Sequence, residues 1–373
     1  MTRRSPFWAL ASLVTTKDDA SEFQVSLEDI RSGRGALTSE NRSSYNGEGT
    51  SFAAGDVLFG KLRPYLSKWW RADRAGTAMG DIHVYRPNRG VDSRYLSYIV
   101  GSEVFVGYAD ASSVGAKMPR AEWSSIRQFR CELPDLDTQL RLASFLDQET
   151  REIDVIGDGI EDLVARLGTR VCERRRSELR GELVPLSVAT RMKTGSTPKG
   201  VRTVEPGTED SIPWVKPGDL DGKRQSAESS LPLGSMSESD IFPRMTPLVV
   251  GIGATLGKCG RFDHPVCANQ QITALQPRPG LDPDYLFYAL MNLTDELRAT
   301  AHQSTIPITS NARLGTYRIP IPSLGEQRRI VEILDEESAS IDAMIVKAEE
   351  LKRLVAERRS ALITEVITGR KEV

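Results

Sequence analysis

The stretch PSLGEQRRIVEILDEESASIDAMIVKAEELKRLVAERRSALITEVITGR, from Pro322 to Arg370, reads as one long helix. Leu334, Ile341, Ala348, Val355 and Leu362 recur every seven residues, with Met344 and Leu351 on an interleaved position. That spacing predicts a narrow apolar seam, the pattern of a helix lying along a partner helix. No Pro or Gly occurs between Glu326 and Thr368, and Gly369 supplies the stop. At ~1.5 Å per residue the helix is roughly 60 Å long, too long to bury itself in one compact domain.

A partner helix is present in the same chain. PDLDTQLRLASFLDQETREIDVI, starting at Pro134, matches the stretch at Pro322 in one unbroken register: Leu136 with Leu324, Gln139 with Gln327, Leu146 with Leu334, Asp147 with Asp335, Ile153-Asp154 with Ile341-Asp342. The register runs to Arg170/Arg358 and to the stops Gly181 and Gly369, and the seam continues through Leu146, Ile153, Ile160 and Leu167 with Ile156 and Leu163 between. Neither half buries its stripe alone, so the two helices are expected to bury one another. Arg170 and Arg358 interrupt the seam, and Gly157, Gly159 and Gly168 weaken the first helix.

The segments before each helix repeat as well. GDVLFGKL (Gly55 to Leu62) and GDIHVYRP (Gly80 to Pro87) read as strands, and SRYLSYIV (Ser93 to Val100) as a helix. MTPLVVGIG (Met245 to Gly253), QQITALQP (Gln270 to Pro277) and DYLFYALMNL (Asp284 to Leu293) stand in the same order. Tyr95, Leu96 and Tyr98 match Tyr285, Leu286 and Tyr288 at one common offset, and Met118-Pro119 match Ile306-Pro307 at the offset of the helices. Between these landmarks the halves share almost nothing. The chain therefore divides into globule 1–133, helix 134–182, globule 183–321 and helix 322–373, a tandem duplication with divergent loops.

Length and composition bound the chemistry. The chain of 373 residues has room for two or three domains, and its net charge of −2 argues against a non-specific polyanion binder. Basic faces on the globules are expected to offset acidic helices. The apolar run Phe7 to Val14 ends at Lys17-Asp18-Asp19, so it reads as neither a signal peptide nor a membrane span. Four cysteines without CxxC pairing and three scattered histidines (His83, His264, His302) give no zinc pattern, and point to a reduced, cytoplasmic protein without metal. GIGATLGK (Gly251 to Lys258), aligned with Gly55 to Lys61 of the first half, is one residue short of a phosphate loop and has Cys259 where Ser or Thr is needed. No nucleophile–base, metalloprotease or methyltransferase constellation is present.

The basic and aromatic stretches are more informative. KLRPYLSKWWRADR carries Lys61, Arg63, Lys68 and Arg71 with Tyr65, Trp69 and Trp70, although the Trp pair reads equally as core. The loop SSVGAK ends in Lys117, and RMKTGSTPKGVR carries Lys193, Thr194, Ser196, Thr197 and Lys199. Cations among small hydroxyl residues suit phosphate contacts, whereas Asn269, Gln270 and Gln271 suit base edges.

Over essentially its full length the chain resembles the specificity subunit of type I restriction-modification enzymes. PIPSLGEQRRIVEILDEESASIDAMI (Pro320 to Ile345) is similar to the family's second helical region, and PDLDTQLRLASFLDQETREIDVI is a degenerate first copy, with Asp137 in place of Gly325. GDVLFGKLRPYL, TGSTPK and IPWVKPGDL, which contains Lys216, resemble recognition-domain motifs. The resemblance implies an α+β fold in which two mixed target recognition domains alternate with two long helices paired as an antiparallel coiled coil. It also implies a non-catalytic reader of double-stranded DNA, each domain taking one half of an asymmetric bipartite site. The helix pair would space the readers and dock two modification subunits. The cofactors implied belong to those partners: S-adenosylmethionine on the modification subunits, which methylate adenine at N6, and ATP with Mg on restriction subunits. The competing expectations are a coiled-coil scaffold whose globules bind protein, and a decoy that docks modification subunits without reading DNA.

Overall fold

The computed structural model describes residues 3–19, 21–38, 45–220, 227–300 and 307–373; His302 and Ile306 lie outside them. Two continuous helices dominate, a central one at Leu136–Glu178 and a C-terminal one at Leu324–Ile367. The chain folds as two compact units, residues 1–164 with 346–373, and residues 165–345.

In the first unit, an antiparallel sheet runs in the order Ala11–Leu13, Ile82–Pro87, Val57–Gly60, Trp69–Arg71. Ile82 to Tyr85 are all buried, as β-branched and aromatic residues at the centre of a sheet covered on both faces should be. A second sheet orders Lys17–Asp19, Glu48–Phe52, Gly76–Ala78 and Gln24–Val25. The helix Ser93–Gly101 starts where Asp92 accepts from the backbone N–H groups of Arg94 and Tyr95, each at 3.0 Å. Trp69 and Trp70 belong to the core. A Cβ on Gly35 or Gly101 would lie 2.2 or 2.3 Å from the Trp69 ring, so both positions require glycine.

The second unit repeats this plan. Its main sheet orders Thr190–Thr194, Ile272–Pro277, Leu248–Val250 and Cys259–Gly260, and its smaller sheet Ser230–Pro232, Ser211–Val215 and Cys267–Ala268. Leu58 faces Val84 in one unit and Leu248 faces Ala274 in the other, so the strand registers agree at the offset that takes Tyr95 to Tyr285. Asp282 caps the helix Pro283–Asn292 as Asp92 caps its counterpart.

What the repeated polar residues do is clear from their bonds. Gln139, 1% exposed, accepts from the Asp92 N–H and donates to the Gly90 and Pro134 carbonyls at 3.2 and 2.9 Å. Gln327, 0% exposed, does the same with Asp282, Gly280 and Pro322 at 2.8, 3.0 and 2.8 Å. Tyr98 donates to Asp147 at 2.7 Å and Tyr288 to Asp335 at 2.5 Å. Each globule is thereby tied to the start of the long helix that follows it, with the oxygen and nitrogen of the buried amide both answered.

The helices pair antiparallel. In the first unit Asp154 meets Arg359 at 3.0 Å and Glu161 meets Lys352 at 3.2 Å, one number rising as the other falls. In the second unit Glu337 takes both Arg170 and Arg174. Leu146, Ile153, Ile160, Leu167, Leu334, Ile341, Ala348 and Leu362 are buried and Val355 is half-buried. The interleaved row is corrected. Ile156, Leu163, Met344 and Leu351 are exposed, by 54, 48, 43 and 49%. The row inside lies four residues beyond each seam position instead of three: Thr150, Gly157 and Arg359 are buried, and Ile345 and Lys352 half-buried. It mixes Thr150, Gly157, Lys352 and Arg359 with apolar residues such as Ile345 and Val366, so a count of apolar residues reads it only in part. The seam is one apolar row beside one mixed row, not the two apolar rows of a leucine-type coil.

Candidate nucleic-acid interface

The end of each main sheet carries a turn braced by a second loop. In the first unit the strand Val57–Gly60 runs into Lys61 to Lys68, where Arg63 and Ser67 hold left-handed backbone at φ 51 and 48°. Non-glycine residues adopt that conformation at a cost, and such positions gather at functional sites. The Arg63 N–H donates to the Pro119 carbonyl at 2.8 Å and the Ala121 N–H to the Lys61 carbonyl at 2.9 Å, which ties the turn to the loop bearing Lys117. Arg63, Tyr65 and Lys117 are exposed at this tip, Tyr65 by 54%.

Other cations at this end serve the fold. Lys61 lies 3.8 Å from Asp81, which also takes a two-pronged bond from Arg120; that bond, more than the charges, holds the Asp81 carboxyl below its usual range. Lys68 Nζ donates to the Leu27 carbonyl at 2.5 Å, and Arg71 is half-buried in its strand. Burial, reinforced by Lys61, lowers His83 to about 4, so its ring is neutral at pH 7.

In the second unit the strand Leu248–Val250 runs into Gly251 to Lys258. Gly253 N–H donates to Pro307 O and Thr309 N–H to Gly251 O, both at 2.9 Å, the bracing found at Arg63 and Lys61. This register corrects the alignment of GIGATLGK. Its counterpart is KLRPYLSK (Lys61 to Lys68), and Gly253 and Gly257, at φ 106 and 82°, occupy the places of Arg63 and Ser67. The next element is the strand Cys259–Gly260, whereas a phosphate loop opens a helix. The same scaffold thus presents cations and an aromatic in one unit, whereas in the other Gly253 and Thr255 stand half-buried in the places of Arg63 and Tyr65, and Gly251 and Gly257 are buried.

The remaining candidates of the second unit separate by their bonds. Lys199 and Gln270 are exposed; Gln270 accepts from the Thr197 hydroxyl, and Ser196 N–H donates to Ala268 O at 2.9 Å. Lys193 pairs with Asp240 at 2.8 Å and bonds Ser239, and Lys216 lies 4.9 Å from the centre of the Trp214 ring. Asn269, 9% exposed, and Gln271 bond one another and the turn backbone, which makes them parts of the turn rather than free base readers. Sequence reading passed over Asn311, which links Thr273 to the exposed Thr194 at 2.8 and 2.9 Å. It also passed over Arg31 and Arg34 beside the helix pair. Asn311 follows the cap residue Ser310, and nothing in the spacing marks it out.

Among the described residues no group of three or more His, Cys, Asp or Glu is placed to hold a metal ion, and no helix is long and apolar enough to cross a membrane. The fold and its tips define a duplicated protein of two recognition-type globules on two long helices. Residues 188–353 match the family model described as type I restriction modification DNA specificity domain. The MjaIX specificity subunit of Methanocaldococcus jannaschii is 29% identical over 134 residues, 33% of this chain and 30% of that protein. The EcoR124I/EcoR124II specificity subunit of Escherichia coli is 26% identical over 135 residues, 34% and 33% of the two chains. The aligned part thus spans about a third of these relatives. A solved structure on complex assembly and conformational transition of the type I R-M system shares the fold, with a TM-score of 0.76 over 99% of this chain and 98% of that one, at 17% identity. In sequence over part of its length the chain is thus similar to type I restriction-modification specificity subunits, and in fold it is similar over nearly all of its length to a chain of a type I R-M system.

Proposed function

We propose that the chain is the non-catalytic, cytoplasmic DNA-reading subunit of a type I restriction-modification complex. Each globule, 1–133 and 183–321, reads one half of an asymmetric bipartite site, and the helical regions 134–182 and 322–373 hold the readers and dock two modification subunits. The observation that carries this reading is the pair of matched tips: one braced scaffold, with exposed Arg63, Tyr65 and Lys117 on one copy and half-buried Gly253 and Thr255 in the places of Arg63 and Tyr65 on the other. Two readers of one ancestry with different recognition chemistry are what two different half-sites require. The exposed Ile156, Leu163, Leu351 and Leu354 supply apolar surface for modification subunits.

The test is a salt titration of the complex with its modification subunits on specific and scrambled duplexes. Replacing Arg63, Lys117 or Lys199 by Ala should lower the slope of log affinity against log salt by roughly 0.9 for each lost phosphate contact, on both duplexes. Lys193→Ala should have a smaller effect, because Asp240 already neutralises that charge. Unchanged slopes in all three variants would move the DNA-facing side away from these tips.

A further inference from the structure

Beside the first reader, the inner mixed row of the helix pair is built as a lock. Arg359, on the C-terminal helix, is 6% exposed. Its guanidinium grips Asp154 of the central helix through Nε and Nη2, at 3.0 and 3.2 Å. The remaining donors leave the helices: Nη1 bonds the Gly33 carbonyl and Nη2 the Arg34 carbonyl, both at 2.9 Å. One buried cation thus joins both helices to a loop of the globule.

The loop answers with its own charges. Arg34 reaches Asp158 at 2.6 Å and Arg31 reaches Glu161 at 3.1 Å, while Lys352 closes on Glu161 from the other helix at 3.2 Å. Gly157 lies under Arg34: a Cβ there would stand 2.6 Å from Nη2. The Arg34 guanidinium thus lies directly against the central helix at Gly157. Gly33 and Gly35, at φ 69 and 65°, turn the loop so that its carbonyls face Arg359. Four cations and three carboxylates meet here, with the innermost cation bonded on every side. In the register that pairs Pro134 with Pro322, the counterpart of Arg359 is Val171, so the second unit has no guanidinium in this place.

We infer that Arg359 is a positioning residue that seats the first reader on the helix pair and thereby sets which gap between half-sites is accepted. The inference rests on the proposed reading of a bipartite site. A guanidinium bonded to two carbonyls and a carboxylate fixes direction as well as distance, which a greasy contact does not. The lock loop also meets the back of the first tip, where the Gly33 N–H donates to the Ser67 carbonyl at 2.8 Å, so the test reads spacing and base discrimination separately.

The test uses the full chain with its modification subunits, on duplexes carrying the methylation-mapped site at its native gap and at gaps one base pair shorter and longer. For Arg359→Gln the affinity ratio of native to altered gaps should fall at least ten-fold, while discrimination against a single-base change in either half-site stays within two-fold of wild type. Arg34→Ala removes only the outer ion pairs and leaves Arg359 on Asp154; it should lower the gap ratio about three-fold, and it carries the test if Arg359→Gln does not fold. Wild-type gap ratios in Arg34→Ala and in any folded Arg359→Gln protein would overturn the inference. So would loss of gap and base discrimination together, the signature of a loosened domain. A wild-type complex indifferent to the gap would instead overturn the bipartite reading beneath it.

Discussion

Gln327→Ala is expected to destabilise the second unit by about 3 kcal/mol or more, since each buried polar group left unpaired costs roughly 1–3 kcal/mol. The wild-type amide is 0% exposed and answers three backbone groups, the Asp282 N–H and the Gly280 and Pro322 carbonyls. Alanine leaves all three without a partner at the junction between globule and helix. A loss of this size is a large part of the ~5–15 kcal/mol that holds a typical domain together. Urea unfolding followed by tryptophan fluorescence reads it directly, because Trp214 lies in the second unit. Gln139→Ala should act equally on the first unit through Asp92, Gly90 and Pro134. A fall smaller than the net worth of a single ordinary hydrogen bond, in either variant, would show that water replaces the amide.

Exchange of residues 183–321 for the corresponding segment of a relative is expected to replace one half-site completely and leave the other intact. The junctions are favourable. Glu182–Pro185 pairs with Arg318–Ile321 in a two-stranded ribbon, so the segment enters and leaves the fold at one place. Asp282 and Tyr288, which fasten the globule to its helix, travel with it and meet Gln327 and Asp335 on the retained helix, and Tyr285 keeps its partner Pro320 within the exchanged segment. A folded chimera that changed both half-sites would show that the readers are not independent.

Much of this architecture is legible in the sequence because the duplication writes it twice. The constant register of Gln139/Gln327 and Asp147/Asp335 marks both helices and their starts, and Tyr95/Tyr285 places the short helices that dock there. The spacing does not say what those residues do; that Gln139 is an amide clamp emerges only when Asp92 folds back onto it. The seam shows a second limit. Hydrophobic periodicity selects Ile156, Leu163, Met344 and Leu351, because they are apolar and lie three residues beyond a seam position. The fold turns inward the positions four beyond, where Thr150, Gly157 and Arg359 are buried and Lys352 half-buried, because globule loops and ion pairs fill that side. A pattern of apolar residues carries no record of a third body that supplies charge.

The tips were legible as chemistry and not as geometry. KLRPYLSK and GIGATLGK share only Leu66/Leu256 and Lys68/Lys258, so the strand register and the bonds from Arg63 to Pro119 and from Gly253 to Pro307 are what establish that they are the same turn. Asn269 and Gln271 carry the side chains that suit base edges, but they spend them on each other.

The central claim is that one chain reads two unlike half-sites across a fixed gap. Strand-resolved methylation mapping of DNA from a host carrying this chain with its modification subunits tests it most directly. The account predicts methylated adenines in two different short sequences, one on each strand, separated by a gap of constant length and free base content. Methylation at one continuous site, at a palindrome, or nowhere in a host that assembles the complex would contradict it.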